Sequence, residues 1–524
     1  MQASRSARAP KKFGLAFWME RVLEECDRAG DGLAADPVHD LRVALRRCRS
    51  MADGLLAVDP DPAWKHMKKA GKALFSRLGE LRDVQVMEEW VRHFDSAGDP
   101  VAARLIQFLS ARESQHKQEA ALALQEFDRK QWLKWTRTLP RRTAKLRPGS
   151  VVFRHLALER LTQARELHQQ AMRNRSQAAF HQLRIGIKRF RYIVENFLPQ
   201  QHLAWGDDLK KLQDLLGDIH DLDVLSTVAR QAGVFHDPED RARWHAKIVE
   251  SREQRIKAYR EKMQGPNALW GRWQEHLPQG EQIHAAAVKR LQLWASYFDP
   301  DRKHSDHVAR LALQLQAGLT AQDGHDPQAN ANDREILRLA ALLHDVGRSK
   351  NGKNHHKQSF RMIRKLAAPL GVSEQVLQLA GVVARYHRGA LPRSGQPPLR
   401  ELPAAEKREA LRLAGILRLA NALDAERDAS VRRVCVEDAS LSIAARGRTG
   451  IRLPRGPMNG KAPKRSDVAL VVRAEGFRPA SALARAVAAE RYLLETVQRR
   501  PIVVRPLRTA RPTRRAGFPT RAAS

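Results

Sequence analysis

The chain has 524 residues, and its 93 lysines and arginines against 58 aspartates and glutamates give a formal net charge of +35. Such an excess indicates a polyanionic partner, whether nucleic acid, an anionic membrane surface or a polyphosphate. The mean hydropathy is −0.53, and no apolar run reaches the ~18 residues of a membrane-spanning helix. The N-terminus lacks the apolar core of an export signal, and three cysteines without a CxxC pair favour a reducing cytoplasm.

Two motifs occur twice in the first half of the chain, in the same order. Residues 38–50 (VHDLRVALRRCRS) align with residues 180–192 (FHQLRIGIKRFRY). Residues 78–87 (LGELRDVQVM) align with residues 216–225 (LGDIHDLDVL), and the spacing between the two motifs differs by four residues. We therefore interpret the first half of the chain as a tandem duplication.

The first motif of each copy has helical periodicity with two distinct faces. In the first copy an apolar stripe from Val38 to Ala52 is predicted to face the core, beside a cationic row. Like charges at this spacing repel unless an anion neutralises them, and arginine suits phosphate oxygens. A solvated basic face is the alternative for either helix alone, but the repetition favours a polyanion-binding surface. The rows are His39, Arg42, Arg46 and Arg49 in one copy and His181, Arg184, Lys188 and Arg191 in the other.

The duplicated pattern HxLRxxxRRxR, followed by LGxxxDxxVL, resembles the CHAD domain, the conserved histidine α-helical domain. The resemblance covers about residues 10–275, with repeats at about 10–140 and 150–275. It implies two pseudo-symmetric four-helix bundles around a basic groove that binds inorganic polyphosphate. To that groove it assigns both cationic rows, helped by Lys68, Lys69, Lys72, Lys210 and Lys211.

Histidine and aspartate recur beside apolar segments in the second half of the chain. His344 and Asp345 follow the apolar run 339–343, and such a pair can present imidazole and carboxylate to one cation. Other helices must supply the remaining ligands, and His307, His387 and Asp424 are available for that. One His-Asp pair among 20 histidines is a weak signal, so the prediction depends on the order of these segments.

That order, H…HD…H…D, resembles HD-superfamily proteins. AALLHDVGR, RYHRGALP and LRLANALDAER are similar to the C-terminal HD-like domain of exopolyphosphatase and guanosine pentaphosphate phosphohydrolase proteins, over about residues 284–505. The resemblance implies a site for a divalent metal (Mn, Mg, Fe or Zn) at His307, His344, Asp345 and Asp424, with His356 and His387 as additional ligands where two metals bind. Candidates for neutralising a transferring phosphoryl group are Arg348, Arg388, Arg418 and Arg427.

Two features of the sequence argue against catalytic activity in this domain. In exopolyphosphatases the recognised catalytic centre lies in an actin-like domain with Gly-rich phosphate loops, and this sequence has no such loop. Gln358 and Asn421 also stand where similar sequences often place His and Asp. One hypothesis is therefore metal-assisted hydrolysis of polyphosphate or a phosphorylated nucleotide. The alternative is a non-enzymatic scaffold associated with polyphosphate granules.

Beyond Asp424 the pattern predicts short strands at 431–436 and 469–472, then a helix at about 480–498. The predicted fold class is mainly α: duplicated bundles at 10–275, an all-helical HD-type domain at 284–430, a small α+β cap at 431–505 and a basic disordered tail at 506–524. We expect a bacterial-type cytoplasmic protein, granule-associated in the scaffold alternative. Its partner would be polyphosphate, with only non-specific nucleic-acid binding and no membrane partner.

Overall fold

The structure is a computed structural model that describes residues 14–95, 98–143, 146–322, 331–393, 395–440 and 468–507. The basic tail from residue 508 onward lies outside these residues. The chain divides into two compact units, Met1–Arg290 and Leu291–Ser524. Within the described residues, no helix combines the length and the apolar character needed to cross a membrane.

Helices build the described part of the first unit. They are α1 (Leu15–Gly30), α2 (Ala35–Leu56), α3 (Pro62–Ala70), α4 (Lys72–Phe94), α5 (Pro100–Gln125), α6 (Arg129–Thr143), α7 (Val151–Asn174), α8 (Gln177–Phe197), α9 (Pro199–Gln231), α10 (Pro238–Met263) and α11 (Leu269–Glu275). Helix α12 (Glu281–Ala295) contains the sequence boundary between the units.

The duplication is visible as equivalent helices. The first motif lies on α2 in one copy and on α8 in the other, and the second motif lies on α4 and α9. Helix α1 packs on α2 as α7 packs on α8, and the two copies meet where α2 contacts α8 and α4 contacts α9. Each copy therefore presents the same helices to its twin.

The apolar stripe predicted for α2 is buried in the core, from Val38 at one end to Ala52 at the other. The two copies also share one hydrophobic cluster, in which Val91 and Leu105 of the first copy pack with Leu222 and Trp244 of the second. Fully burying such side chains stabilises a fold by roughly 1.5–3 kcal/mol each. The shared core therefore holds α4 and α9 together, and with them the adjoining motif helices.

The second unit is a helical body with a small sheet. Its elements are α13 (Arg302–Gln322), α14 (Ala331–Leu343), a 3-10 turn (Val346–Ser349), α15 (His355–Ile363), α16 (Glu374–Arg385), α17 (Pro397–Arg400), α18 (Ala404–Ala422), β1 (Arg433–Ser440), β2 (Val468–Glu475), α19 (Ala482–Glu490), α20 (Tyr492–Gln498) and β3 (Ile502–Pro506). Helices α13, α14, α16 and α18 pack on one another, and α15 packs on the 3-10 turn.

The sheet has the order β1-β2-β3, with β1 antiparallel and β3 parallel to β2. It confirms the predicted mainly α fold with a small α+β cap. Strand β3 was not predicted, and the helix predicted at 480–498 is two helices, α19 and α20. Helix α13 lies so close to β1 that a Cβ on Gly318 would come within 2.8 Å of Val436. The sheet therefore packs directly on a helix of the candidate site.

Candidate functional site

Four cationic side chains of the two copies interact where α2 contacts α8. Arg42 and Arg46 come from α2, Arg184 and Lys188 come from α8, and we call them the central cationic cluster. All four are partly buried. Burial, reinforced by the three arginines, lowers the pKa of Lys188 to about 8. The fold therefore holds these charges close together although they repel.

Arg42 is held by backbone acceptors of the second motif. Its Nη1 donates to the carbonyl oxygens of Leu78 and Gly79, both at 2.9 Å. Arg184, its equivalent in the second copy, makes no such bond within the described ranges, and its Nε is buried without a hydrogen-bond partner. A buried donor without an acceptor is costly, so this guanidinium is suited to receive an oxygen ligand.

Carboxylates of the second motif divide between the cluster and other arginines. Burial raises the pKa of Asp83, while Arg42, Arg184 and Lys188 of the cluster oppose that shift. Asp223 and Asp218 accept hydrogen bonds from Arg252 and Arg255 of α10, at 2.8 and 3.5 Å. Burial raises the pKa of Asp221 to about 6. Two of the second motif's carboxylates are thus committed to other arginines.

The other predicted groove residues differ in exposure and contacts. His181 faces His220 with 3.4 Å between their Nδ1 atoms, and burial with Arg184 lowers the pKa of His220 to about 4. Arg49 donates to the carbonyl oxygen of Lys68 at 2.7 Å. Arg191 is partly buried, 3.8 Å from a carboxylate oxygen of Glu195. The exposed members are His39, Lys69, Lys72, Lys210 and Lys211.

Three histidines of the second unit direct the same ring atom toward one carboxylate. In each ring Nδ1 lies 2.7–2.8 Å from the carbonyl oxygen three residues earlier, so it donates and Nε2 keeps its lone pair. The Nε2 atoms of His344, His355 and His387 lie 3.6, 3.1 and 4.0 Å from Oδ1 of Asp345. The carbonyl acceptors belong to Ala341, Gly352 and Ala384.

These Nε2 atoms face the Asp345 carboxylate and one another. Those of His355 and His387 are 3.2 Å apart, and Nε2 of His344 has no hydrogen-bond partner. Burial lowers the pKa of His344 and His387, which favours neutral rings. Two facing lone pairs repel unless a proton or a cation lies between them. This donor set fits a metal ion.

Asp345 connects this histidine cluster to two arginines. Its Oδ2 accepts a hydrogen bond from Nη2 of Arg427 at 2.7 Å and lies 3.3 Å from Nη1 of Arg348. Burial alone would raise the pKa of Asp345, but the Arg427 guanidinium bonded to Oδ2 helps to hold it below its usual range. The carboxylate is therefore ionised.

His304 completes the site from α13. Its Nδ1 lies 2.7 Å from Oδ2 of Asp424, and its Nε2 lies 3.1 Å from Oδ1 of Asn421. Two groups of potential ligands result, with all ligand atoms of each group within 4.8 Å of one another. They are His304, His344 and Asp345, and Asp345, His355 and His387. Asp345 belongs to both.

Three predicted ligands lie outside both groups in the described part of the chain: His307, His356 and Asp424. The groups contain His304 and His355 instead of His307 and His356, and Asp424 contacts His304. His307 instead accepts a hydrogen bond from Arg310 at 2.6 Å. His304 and His307 lie one helical turn apart on α13, and His355 and His356 are neighbours on α15. Nothing in the sequence indicates which histidine of each pair belongs to a group of potential ligands.

The four candidate arginines have different roles. Arg427 and Arg348 contact Asp345 as described above. Arg418 is buried and donates to Glu490 at 2.7 Å and to the carbonyl oxygen of Gly389 at 2.6 Å, so it braces the fold. Arg388 is exposed.

Ser359 connects the His-Asp turn to α15, a role that the sequence did not reveal. Its Oγ donates to the carbonyl oxygen of His344 at 2.5 Å and accepts from the Gly347 amide at 2.9 Å. A Cβ on Gly347 would come within 2.2 Å of the carbonyl oxygen of His355. Only glycine therefore allows the turn to approach α15 this closely. The glycine two residues after the His-Asp pair was the available signal.

Comparison with known proteins gives two matches along the chain. Residues 19–230 match the CHAD domain, and residues 283–448 match "Ppx/GppA phosphatase, domain III". Both resemblances were expected from the sequence, in this order. The crystal structure of the CHAD domain from the plant Ricinus communis is similar at 21% sequence identity, over 50% of this chain and 96% of that chain, with a TM-score of 0.36. That the second domain belongs to the HD class stays a prediction.

We expect the exchange Lys188→Met to raise the melting temperature at pH 7 by about 2–4 °C, because it removes a partly buried charge that three arginines repel. The pKa of Lys188 in the folded protein, about 8, lies below the ordinary value of 10.5. Unfolding therefore takes up a proton between these values, so Lys188 contributes stability that increases with pH across this window. Lys188→Met should lack that contribution.

Thermal melts from pH 7 to 10.5 measure both effects. The exposed Lys257 provides the control, Lys257→Met, which should melt like the unmodified protein at every pH. A melting temperature of Lys188→Met at or below that of the control at pH 7 would contradict the repulsion.

Proposed function

We propose that the first unit binds inorganic polyphosphate through the central cationic cluster. The observation that carries this proposal is the repulsion among cations supplied by both copies at equivalent positions, expressed in the lowered pKa of Lys188. A chain of linked phosphates presents closely spaced negative charges, and it can contact both copies at once. Arginine forks suit phosphate oxygens, and Arg184 has a buried nitrogen without a partner.

Nucleic acid would also satisfy the net charge. The duplication, however, concentrates cations at one place between equivalent helices, and neither a recognition helix nor a base-stacking platform was found in the sequence. We therefore expect nucleic acid to bind only through non-specific charge. Granule association and a cytoplasmic location belong to the same proposal.

Removing the cluster should cost far more affinity than removing the same charge elsewhere. We expect the exchange of Arg42, Arg46, Arg184 and Lys188 to alanine to weaken long-chain polyphosphate binding by about 100-fold or more, since charge-assisted contacts contribute roughly 1.5–3 kcal/mol each. The control replaces four exposed cations, Arg173, Arg241, Lys257 and Arg260, with alanine. Deleting the tail beyond residue 507 is a second control. Equal losses in all three proteins would mean that affinity follows bulk charge alone.

The salt dependence of binding counts the charges involved. Each cation that neutralises a phosphate releases a counterion, so log affinity should fall linearly with log salt concentration. The fourfold cluster variant should show a shallower slope than the unmodified chain, and the exposed-charge control should keep most of its slope. Binding isotherms at four or more salt concentrations measure this. An unchanged slope in the cluster variant would place these side chains outside the binding surface.

For the second unit the proposal is a metal-dependent phosphohydrolase acting on polyphosphate or a phosphorylated nucleotide. The Nε2 of His344, which has no hydrogen-bond partner, and the facing Nε2 atoms of His355 and His387 carry it. His304, His344, Asp345 and Asp424 would hold one divalent cation, and Asp345, His355 and His387 a second. When bound, such cations supply an activated water and polarise a phosphoryl oxygen.

The residues of this chain would orient the site and balance its charge. The backbone carbonyls behind His344, His355 and His387 fix which ring nitrogen is free. Arg427 and Arg348 hold the second oxygen of Asp345 and place positive charge beside it, where a phosphoryl group would gain negative charge.

A non-enzymatic scaffold is the second candidate function. It is favoured by the partners that several ligand atoms already have: Oδ2 of Asp345 is bound by Arg427, and His304 lies between Asp424 and Asn421. The site would then serve stability, or bind a metal without turnover.

Neighbouring histidines provide matched variants for a test of the metal site. In the metal-free protein, manganese at about 100 times its dissociation constant should add roughly 2.7 kcal/mol to the stability of the native state and raise the melting temperature. The exchange His355→Gln should reduce that increase, because it removes one Nε2 ligand of the second cation. The exchange His356→Gln should retain it, and His304→Gln against His307→Gln is a second matched pair.

Phosphate release from polyphosphate, measured with the same variants, separates the two candidate functions. Activity that is lost in His355→Gln and kept in His356→Gln supports the enzyme. If manganese changes neither the melting temperature nor phosphate release, the enzymatic proposal should be dropped.

A further inference from the structure

Two equivalent arginines next to the central cationic cluster, Arg47 and Arg189, have different contacts. Arg47 forms an ion pair with Glu195 and lies 5.4 Å from the ring centre of Trp18. The residues equivalent to Arg47 and Glu195 in the other copy are Arg189 and Asp53, by the alignment of the first motif. The symmetry of the fold would thus predict an ion pair between Arg189 and Asp53.

That second ion pair is not formed. Asp53 is bound instead by Lys68, whose equivalent in the other copy is Gly206, by the alignment of the second motif. Arg189 has neither an ion pair nor a hydrogen bond to any residue that the structure describes. Lys68 therefore takes the acid that would otherwise neutralise Arg189.

The aromatic partner is also missing on this side. The alignment of the first motif, extended towards the N-terminus, makes Arg160 of α7 equivalent to Trp18 of α1. The buried residues on either side of these two positions match. A second cation thus stands where the first copy has an indole ring. Burial and the nearby Arg189 lower the pKa of Arg160. Its neighbour Glu159 is committed to Arg290 at 3.1 Å.

The result is an open cavity beside Arg189, whereas the place beside Arg47 is filled by Glu195 and Trp18. Its volume is about 320 Å³, and Lys68, Arg160 and Arg189 line it against the single carboxylate of Asp53. Tyr192 also lines it, and Nζ of Lys188 in the central cationic cluster lies 5.9 Å from the centre of its ring. The cavity therefore combines excess positive charge with a hydroxyl group at a size that suits a small anion.

We propose that this cavity is a separate site for a phosphate group, either the terminal phosphate of a polyphosphate chain or free orthophosphate or pyrophosphate. Arg160 and Arg189 bind the phosphate oxygens, and Lys68 pairs with Asp53, the carboxylate that lines the cavity. The site goes beyond the polyphosphate groove, because Lys68 and Arg160 stand at positions at which the two copies differ. Its ligand is compact, because the walls on four helices limit its size.

Pyrophosphate is the probe, titrated calorimetrically into the full-length protein with a chelator present. We expect Arg189→Ala to weaken pyrophosphate binding by about tenfold, since one charge-assisted contact is lost. Arg160→Trp, which restores the residue of the first copy, should do the same by letting Arg189 stack on the indole ring. Arg173→Ala removes an exposed charge from the same helix, α7, and should change the affinity less than twofold.

Two further arms separate this site from the polyphosphate groove. The double exchange of Arg42 and Arg184 to alanine should leave pyrophosphate binding intact even if it abolishes long-chain binding. Linear tripolyphosphate and cyclic trimetaphosphate then distinguish the sources of the phosphate. A loss in Arg189→Ala for the linear but not the cyclic ligand assigns the cavity to chain ends, and a loss for pyrophosphate alone assigns it to the free anion.

The proposal fails if pyrophosphate does not bind at millimolar concentration. It also fails if Arg189→Ala and Arg173→Ala bind pyrophosphate equally well. Circular dichroism and melting curves establish that each variant is folded, and the exposed position of Arg189 makes loss of folding in that variant the least expected.

Discussion

The mutual repulsion of Arg42, Arg46, Arg184 and Lys188 is the constraint on which the first unit depends. Four cations in partly buried surroundings oppose the contact between α2 and α8. The contact persists because the same two copies share an apolar core through α4 and α9, which contains Leu105, Leu222 and Trp244. The stability of that core holds the charges together, and the charges are then available to an anion. The charges and the shared core thus lie on different helices of the same unit.

In the second unit, hydrogen bonds to nearby backbone carbonyls orient histidine rings that come from distant parts of the sequence. A histidine whose Nδ1 donates to the carbonyl three residues earlier must point Nε2 away from its own backbone. His344, His355 and His387 all follow this rule, and His344 and His387 do so just beyond helix ends, where carbonyl oxygens lack partners. The packing of α15 on the 3-10 turn, which needs Gly347, then brings His355 to Asp345. Each ring is oriented locally, and tertiary packing makes the rings converge.

The features that could be predicted from the sequence are those that show as repeated motifs or as a characteristic order of segments. The duplication, the cationic rows, the mainly α fold and the His344-Asp345 turn were all predicted from these signals. The sequence could not decide between His304 and His307, or between His355 and His356. Each pair lies on one buried helix, and either member fits the pattern. Helix rotation of less than a third of a turn decides such a choice, and packing sets that rotation. Strand β3 was missed because its segment is short and pairs in parallel with a strand about 30 residues earlier.

Duplication also explains how one fold can carry the two anion sites that we propose. At positions where the copies stayed alike, as at Arg42 and Arg184, equivalent cations make a positively charged surface to which both copies contribute. Where they differ, as at Trp18 and Arg160, one place is closed by an ion pair and a ring while its twin opens into a cavity. The closed place adds stability, because its charges are paired and its ring is packed. The open place forgoes those contacts, and a bound anion would replace them. Tyr192 and Lys188 are in contact range of one another, so an anion in the cavity would lie next to one in the groove.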